Sequence, residues 1–184
     1  MSDIIFLDRD GTINPDPGYI SSVSQYQFFR YTLPALKILS DRGFQFVIVT
    51  NQSGLSRGLI DKINLMEIND YIAQTFRENG IELLGIYYCP HHPDEKCNCR
   101  KPKTQLFHQA ANDHQFNLPG TYIIGDSYKD IKAGKSLGIK TILVRTGNGK
   151  KTEKEIEKDG EFVDFIGDTL EDCTKYLLSH VKIQ

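Results

Sequence analysis

Two aspartates, Asp8 and Asp10, stand one residue apart where a short apolar run near the start of the chain ends. An aspartate carboxylate can attack phosphorus and form an aspartyl-phosphate. A second carboxyl group close by can protonate the leaving oxygen and then activate a water molecule. The pair therefore indicates phosphate chemistry. The simpler interpretation is that both are ordinary turn residues and that Gly11 completes the turn.

Two carboxylates this close repel each other unless a cation lies between them. A hard divalent cation, with Asp126 as a further ligand, would relieve the repulsion, and Mg²⁺ suits such a site because it binds through a few carboxylates plus substrate phosphate. The transferred phosphoryl group also needs donors aimed at its oxygens. The hydroxyl of Thr50, at a predicted strand end, and a lysine from another loop are natural donors. Spacing alone does not choose between Lys101 and Lys103.

A second constellation, C-x-H-x5-C-x-C, lies in the middle of the chain and consists of Cys89, His91, Cys97 and Cys99. Three thiolates and one imidazole make a closed tetrahedral zinc site of the structural type. Such a site would fold the loop at residues 89–101, which has almost no apolar content. It would also position the side chains of Arg100 and Lys101 at the end of that loop. The alternative is three free thiols. We expect His92 to be exposed and Cys173 to be a core residue.

Apolar runs alternate with segments of helical periodicity along the whole chain, which predicts a parallel sheet with helices on both faces. The fold class is therefore α/β, a Rossmann-like three-layer α/β/α sandwich with a mainly parallel sheet. The predicted strands are residues 3–8, 44–50, 85–89, 121–125, 140–145 and 162–166, and the predicted helices are 33–42, 61–79, 104–116, 128–137, 152–159 and one from 170 onward. Ligands bind outside the carboxyl ends of such strands, where Asp8, Thr50 and Asp126 follow three of them.

Composition excludes several classes of protein. The chain has 184 residues, a net charge of −2 and 39% hydrophobic residues, which predicts one globular domain over residues 1–184. The acidic balance disfavours a nucleic-acid partner. No apolar run is long enough to cross a membrane and no signal peptide is evident, so we expect a cytoplasmic protein, by default a monomer. The glycine-rich stretch at residues 147–150 is interpreted as only a turn signal.

Four segments together resemble the haloacid dehalogenase superfamily of aspartate-nucleophile phosphatases. They are DRDGT at residues 8–12, VTNQSG at 49–54, RKP at 100–102 and GDSYKD at 125–130. The resemblance spans residues 4–149. It implies Asp8 as nucleophile, Asp10 as general acid and base, and Thr50 and Lys101 as the groups that stabilise the phosphoryl oxygens.

The resemblance also implies Mg²⁺ held by Asp8, by the backbone carbonyl of Asp10 and by Asp126. It selects Lys101 over Lys103, which we expect at the surface. Asp130, the last acid of the fourth segment, is either a partner outside the metal ligands or an acid that favours a helix N-terminus, and we prefer the second interpretation.

Within the superfamily, the chain resembles two groups that lack a large cap domain. One removes the 7-phosphate from D-glycero-D-manno-heptose 1,7-bisphosphate in the synthesis of nucleotide-activated heptose for lipopolysaccharide or other surface glycans, and the other hydrolyses histidinol phosphate. The chain resembles the first group more closely. This resemblance implies that Arg100 recognises the phosphate that is not cleaved, although the chain has Ser127 where the first group often has lysine. The implied substrate-binding residues are Asp16, Pro17, Gly18, Tyr19, Asn51, Gln52, Ser53, Arg100 and Lys101.

Overall fold

The computed structural model describes residues 4–180 and contains one six-stranded sheet in which every neighbouring pair is parallel. The spatial order of the strands is β3-β2-β1-β4-β5-β6. Their bounds are β1 Ile4–Leu7, β2 Gln45–Asn51, β3 Leu83–Cys89, β4 Tyr122–Gly125, β5 Lys140–Val144 and β6 Phe165–Gly167. The predicted parallel α/β fold is confirmed.

Six α-helices connect or follow the strands. They are α1 Thr32–Ser40, α2 Lys62–Glu78, α3 Gln105–Asp113, α4 Tyr128–Leu137, α5 Gly149–Asp159 and α6 Leu170–His180, and a short 3-10 helix lies at Val23–Gln25. None of the helices described here has the length and apolarity needed to cross a membrane.

The alternation of side chains along β1 explains why the sheet has helices on both faces. Ile5 and Leu7 point to one side and join the apolar residues of α1, α2 and α6. Ile4 and Phe6 point to the other side and pack with α3 and α4. Strands buried on both faces lose the polar alternation of a half-exposed sheet and become continuous apolar runs. The three-layer arrangement therefore follows directly from the sequence of the strands.

The order of the strands reverses between β1 and β4, and this reversal locates the ligand site. The chain runs outward from β1 through β2 to β3, returns to β4 on the other side of β1, and then continues outward to β6. At such a switch point the loops that leave neighbouring strands diverge and open a crevice at the carboxyl edge. Asp8 and Asp126 follow the two strands that border the crevice.

Several predicted boundaries differ from the structure, and three of them differ by three residues. Helix α5 begins at Gly149 and not at residue 152. The last strand begins at Phe165 and not at residue 162, because Asp164 is held by Thr141, whose backbone N–H and hydroxyl both donate to its Oδ2 at 2.8 and 3.2 Å. Helix α3 ends at Asp113 and not at residue 116, since Gln115 adopts a positive φ of 55° that a helix cannot continue through.

Candidate active site

Asp8 lies at the end of β1 and remains anchored to the sheet. Its backbone N–H donates to the carbonyl of Ile124 in β4 at 3.0 Å. Its carboxylate Oδ1 lies 2.8 Å from Nζ of Lys101 and accepts the backbone N–H of Arg9, also at 2.8 Å. Burial raises the pKa of Asp8 well above its usual range, and the acids Asp130 and Asp126 raise it further, against the opposing charge of Lys101.

Lys101 is almost completely buried, and its ammonium group has three oxygen partners. Nζ lies 2.8 Å from Asp8, 2.6 Å from Oδ1 of Asp130 and 2.6 Å from the carbonyl oxygen of Val49. Burial disfavours the charged amine, yet the two carboxylates raise the pKa of Lys101 above its ordinary value. The lysine therefore stays charged, with its position determined from three sides. Lys103 is exposed, as expected.

Asp130 requires a correction to the preferred interpretation. Its backbone position does lie in the first turn of α4, where its Oδ2 accepts hydrogen bonds from the backbone N–H and the hydroxyl of Ser127. The side chain is nevertheless fully buried and its Oδ1 pairs with Lys101. Asp130 is thus both a helix-capping residue and the second counter-ion of the buried lysine. Gly125 makes room for it, because a Cβ there would lie 2.4 Å from the Asp130 carboxyl carbon.

The carboxylate of Asp10 accepts four hydrogen bonds. Arg9 donates to it through Nε at 3.0 Å and Nη2 at 2.8 Å, Asn14 through Nδ2 at 2.9 Å and Gln52 through Nε2 at 2.8 Å. Burial alone would raise the pKa of Asp10, but the charge of Arg9 and these hydrogen bonds outweigh it and lower the pKa. Gln52 also donates to the hydroxyl of Thr50 at 2.9 Å, so one amide links two of the predicted catalytic residues.

Asp126 is oriented by the loop that follows β5. Asn148 donates to its Oδ2 through the backbone N–H at 2.7 Å and through Nδ2 at 3.3 Å, and Thr152 donates to its backbone carbonyl at 2.9 Å. Burial raises the pKa of Asp126 to about 6, although the hydrogen bonds from Asn148 oppose the shift. The other carboxylate oxygen, Oδ1, accepts none of these bonds and is available to a ligand.

Two glycines allow this loop to pack against the carboxylates. A Cβ on Gly147 would lie 2.2 Å from Oδ2 of Asp126, and a Cβ on Gly11 would lie 2.3 Å from the same oxygen. Thr146 closes the contact by donating to the carbonyl of Gly11 at 2.6 Å. Residues 147 and 148 do form a turn, as predicted, but the turn also has a role in the site, because Asn148 donates to Asp126. Asn148 follows β5 as Asp126 follows β4, so the rule that strand-end residues converge could have found it.

A cavity of about 330 Å³ opens over these groups at the carboxyl edge of the sheet. Among its lining residues are most of the predicted substrate-binding residues, and Pro17 is the one that does not line it. Asn51 has a structural task as well. Its Oδ1 accepts the backbone N–H of Lys101 at 3.0 Å and its Nδ2 donates to the Lys101 carbonyl at 3.3 Å. This amide joins the end of β2 to the loop that delivers the lysine.

The comparisons with known proteins agree with this geometry. A family model described as HAD-hydrolase-like matches residues 98–173. The D-glycero-β-D-manno-heptose-1,7-bisphosphate 7-phosphatase of Haemophilus ducreyi is 40% identical over 84% of this chain and 90% of its own length. The enzyme of the same description from Yersinia pestis is 36% identical over 97% and 96% of the two chains. The chain belongs to this family of haloacid dehalogenase-like phosphatases.

Solved structures give the same assignment. A crystal structure of D,D-heptose 1,7-bisphosphate phosphatase from B. bronchiseptica, complexed with magnesium and phosphate, superposes with a TM-score of 0.88 at 32% identity. The alignment covers 97% of this chain and 99% of the other. A second heptose bisphosphate phosphatase, from Burkholderia thailandensis, has a TM-score of 0.72 at 26% identity. The fold of this chain is thus that of the heptose bisphosphatase family.

The four side chains of the predicted C-x-H-x5-C-x-C site converge at the end of β3. The ligand atoms of Cys89, His91, Cys97 and Cys99 all lie within 4.8 Å of one another. Cys89 Sγ lies 3.7 Å from that of Cys97 and 3.2 Å from that of Cys99, and Nδ1 of His91 lies 3.1 Å from Cys99 Sγ. Burial raises the pKa of Cys89 to about 12, so a thiolate there needs a cation beside it.

The remaining candidates of this region lie apart from the cluster. The ring of His92 pairs with the side chain of Asp94 at 3.2 Å and is 34% exposed, which makes it partly and not fully exposed. Cys173 is buried in the apolar core under α6, as expected. The structure therefore selects His91 as the imidazole of the cluster.

Replacing Gly147 with alanine tests the packing of the β5 loop against Asp126. We expect Gly147→Ala to displace the Asp126 carboxylate and to reduce phosphatase turnover by about 100-fold, since small displacements of reacting groups cost that much. Gly160→Ala is the matched control, because Gly160 has a similar positive φ but no atom within 4 Å of a Cβ. Both variants should lose roughly 1–2 kcal/mol of unfolding free energy because of the positive φ, and Gly147→Ala should lose more, since its Cβ would also overlap Asp126 and Gly11. Equal activity in the two variants would refute the role of the loop.

Proposed function

We propose that the chain is a magnesium-dependent phosphatase that hydrolyses the C7 phosphate of D-glycero-D-manno-heptose 1,7-bisphosphate. The products are heptose 1-phosphate and inorganic phosphate. The observation that supports it most is the buried Lys101 ammonium shared by Asp8 and Asp130, next to Asp10 and Asp126 at the switch point of the sheet. The family relatives favour this substrate over histidinol phosphate. We place the reaction in the supply of nucleotide-activated heptose for lipopolysaccharide or other surface glycans.

In the first step, a carboxylate oxygen of Asp8 attacks the phosphorus and the ester bond to the C7 oxygen breaks. Asp10 donates a proton to that leaving oxygen, which departs as the sugar hydroxyl. The ammonium of Lys101 and the hydroxyl of Thr50 stabilise the charge on the phosphoryl oxygens. Because four hydrogen bonds keep Asp10 ionised in the free site, it must take up a proton as substrate binds. The negative charge of the bound phosphate favours that uptake.

In the second step, the aspartyl-phosphate is hydrolysed. Asp10 accepts a proton from a water molecule, the water oxygen forms a bond to phosphorus, and the bond between phosphorus and the Asp8 oxygen breaks. Phosphate leaves and the Asp8 carboxylate is regenerated. The hydrogen bonds from Arg9, Asn14 and Gln52 determine the direction in which the Asp10 carboxylate points and keep it in the ionised form that can accept a proton.

The donor set fits magnesium. Asp8 and Asp126, with the backbone carbonyl of Asp10, would hold the ion, and all are hard oxygen donors. Burial and the charge of Asp130 raise the pKa values of both Asp8 and Asp126, and a divalent cation between these two carboxylates would reverse the shifts. When bound, the ion neutralises charge on the transferred phosphoryl group. The two hydrogen bonds from Asn148 orient Asp126 for this task.

We also propose a structural zinc ion held by Cys89, His91, Cys97 and Cys99. Thiolates around zinc, at about 2.3 Å from it, lie about 3.8 Å apart. The 3.7 Å between the sulfurs of Cys89 and Cys97 matches this value, and the 3.2 Å between those of Cys89 and Cys99 is shorter. Four protein ligands leave no open position, so this ion would take no part in hydrolysis. It would stabilise residues 89–101, the loop that delivers Arg100 and Lys101 to the cavity, within a single domain over residues 1–184.

The substrate would be held by the loops around the cavity. Arg100 is half-buried at the rim and has the planar set of donors that binds a phosphate at two points. We assign it to the phosphate that is not cleaved. The loop at residues 16–19 and Ser53 would contact the sugar.

A comparison of two substrates tests the proposed specificity. We expect kcat/KM for heptose 1,7-bisphosphate to exceed that for histidinol phosphate by roughly 10- to 100-fold, since charged hydrogen bonds to a second phosphate contribute about 1.5–3 kcal/mol. Steady-state phosphate release with saturating Mg²⁺ measures both values. Preference for histidinol phosphate would contradict the assigned substrate and leave the roles of Asp8 and Asp10 unaffected.

The nucleophile is tested by Asp8→Asn. The amide preserves the shape of the side chain but cannot form the aspartyl-phosphate, so turnover should fall by roughly 10⁴-fold or more. Asp61→Asn is a matched control, because Asp61 caps α2 through Asn64 and asparagine caps a helix equally well. Circular dichroism checks that both variants are folded. A folded Asp8→Asn protein that retains a tenth of the activity would exclude Asp8 as nucleophile.

Metal analysis of three proteins tests the zinc site. The native chain should contain one zinc per molecule, Cys97→Ser should lose it and melt at a lower temperature, and Cys173→Ala should keep it, because Cys173 lies outside the cluster. A native protein without zinc, or loss of zinc from Cys173→Ala, would show that the assignment of the ligands is wrong.

A further inference from the structure

We propose that Lys129 binds the phosphate group that is not cleaved, together with Arg100, and so helps the enzyme to select a bisphosphate. The inference rests on the proposed function, because it assumes a substrate with two phosphate groups. It assigns a residue that the sequence did not single out. The starting observation is that Lys129 lines the active-site cavity, whose cationic lining residues are Arg100, Lys101 and Lys129.

The three cationic side chains differ in the number of hydrogen-bond and ion-pair partners that they already have. The ammonium of Lys101 lies deep in the site beside Asp8, so its charge acts on the phosphate that is attacked there, and its three oxygen partners leave it no donor for a second anion. Arg100 makes one long hydrogen bond, from Nη1 to the carbonyl of His91 at 3.4 Å. Lys129 is exposed, and within residues 4–180 its ammonium has neither an ion pair nor a hydrogen bond. Two cations at the rim are therefore available to a second anion.

The start of α4 offers few other groups to such an anion. The hydroxyl of Ser127 donates to Asp130 at 2.8 Å and is used within the helix cap. Lys129 is the second residue of the helix, where the peptide dipoles also favour negative charge. Arg100 lies in the loop that follows β3 and Lys129 in the first turn of α4, and both line one cavity, so an anion bound by both would be contacted from two separate elements.

The next lysine of the same helix provides a contrast. Lys132 lies over the ring of Tyr128, 4.3 Å from its centre, and lines a different cavity with Lys103 and Lys135. Its charge is directed away from the active site, although it lies only one turn further along α4. Lys132→Gln is therefore a control that removes the same charge from the same helix.

The test compares Lys129→Gln, Lys129→Arg and Lys132→Gln on two substrates, heptose 1,7-bisphosphate and p-nitrophenyl phosphate, which has no second phosphate. In Lys129→Gln, the ratio of kcat/KM for the two substrates should fall about 10- to 100-fold, as expected for loss of a charge-assisted hydrogen bond. The loss should appear as a higher KM for the bisphosphate, with kcat nearly unchanged. Lys129→Arg should restore the ratio, and Lys132→Gln should keep it.

The outcomes separate the two proposals. If the native enzyme prefers heptose bisphosphate over histidinol phosphate and Lys129→Gln keeps the native ratio, the role of Lys129 is refuted and the proposed function stands. Equal loss on both substrates, or a lower kcat at unchanged KM, would also refute it, because either result indicates a disturbed catalytic site. If the native enzyme shows no preference for the bisphosphate, the proposed function and this inference both fail.

Discussion

The buried ammonium of Lys101 is the interaction on which the site depends. A charge removed from water is tolerated only when partners surround it, and here Asp8, Asp130 and the carbonyl of Val49 do so. The same contacts place the positive charge beside Asp8, the carboxylate that we propose as the nucleophile. Stability and reactivity therefore impose the same geometry, because a displaced lysine would leave two buried carboxylates without compensation.

Several independent parts of the chain converge to hold that lysine. Asn51, at the end of β2, forms two hydrogen bonds with the Lys101 backbone. The Cys and His cluster lies just before it in the same loop, with Cys89 buried in the apolar core at the end of β3. Ser127 holds Asp130 in the cap of α4, which fixes the second counter-ion. Contacts from β2, from α4 and from within its own loop therefore all act on the position of Lys101.

The balance of charge explains why the site suits a cation and an anion in turn. Asp8, Asp10, Asp126 and Asp130 are buried or nearly so around the two cationic side chains of Arg9 and Lys101. The excess of negative charge favours the binding of a divalent cation, and the bound cation would in turn reduce the repulsion between the carboxylates and a phosphate. Gly11 and Gly147 matter for the same reason, since only residues without a Cβ let two loops approach the Asp126 carboxylate this closely.

The sequence by itself determined the parallel fold and the edge of the sheet at which the candidate catalytic residues meet. Apolar strands that alternate with helices must form a sheet covered on both faces, and residues that follow such strands must meet at one edge. Asp8, Thr50 and Asp126 could be found in this way. Only the tertiary structure decided what each group contacts. The bond from Thr146 to Gly11 joins residues 135 positions apart, and Asn51 is 50 positions from Lys101. From the sequence, Asp130 could be interpreted only as a helix-capping acid, because its second partner, Lys101, lies in a distant loop. Such contacts depend on how loops from different strands pack together, and no local pattern of residue types records that packing.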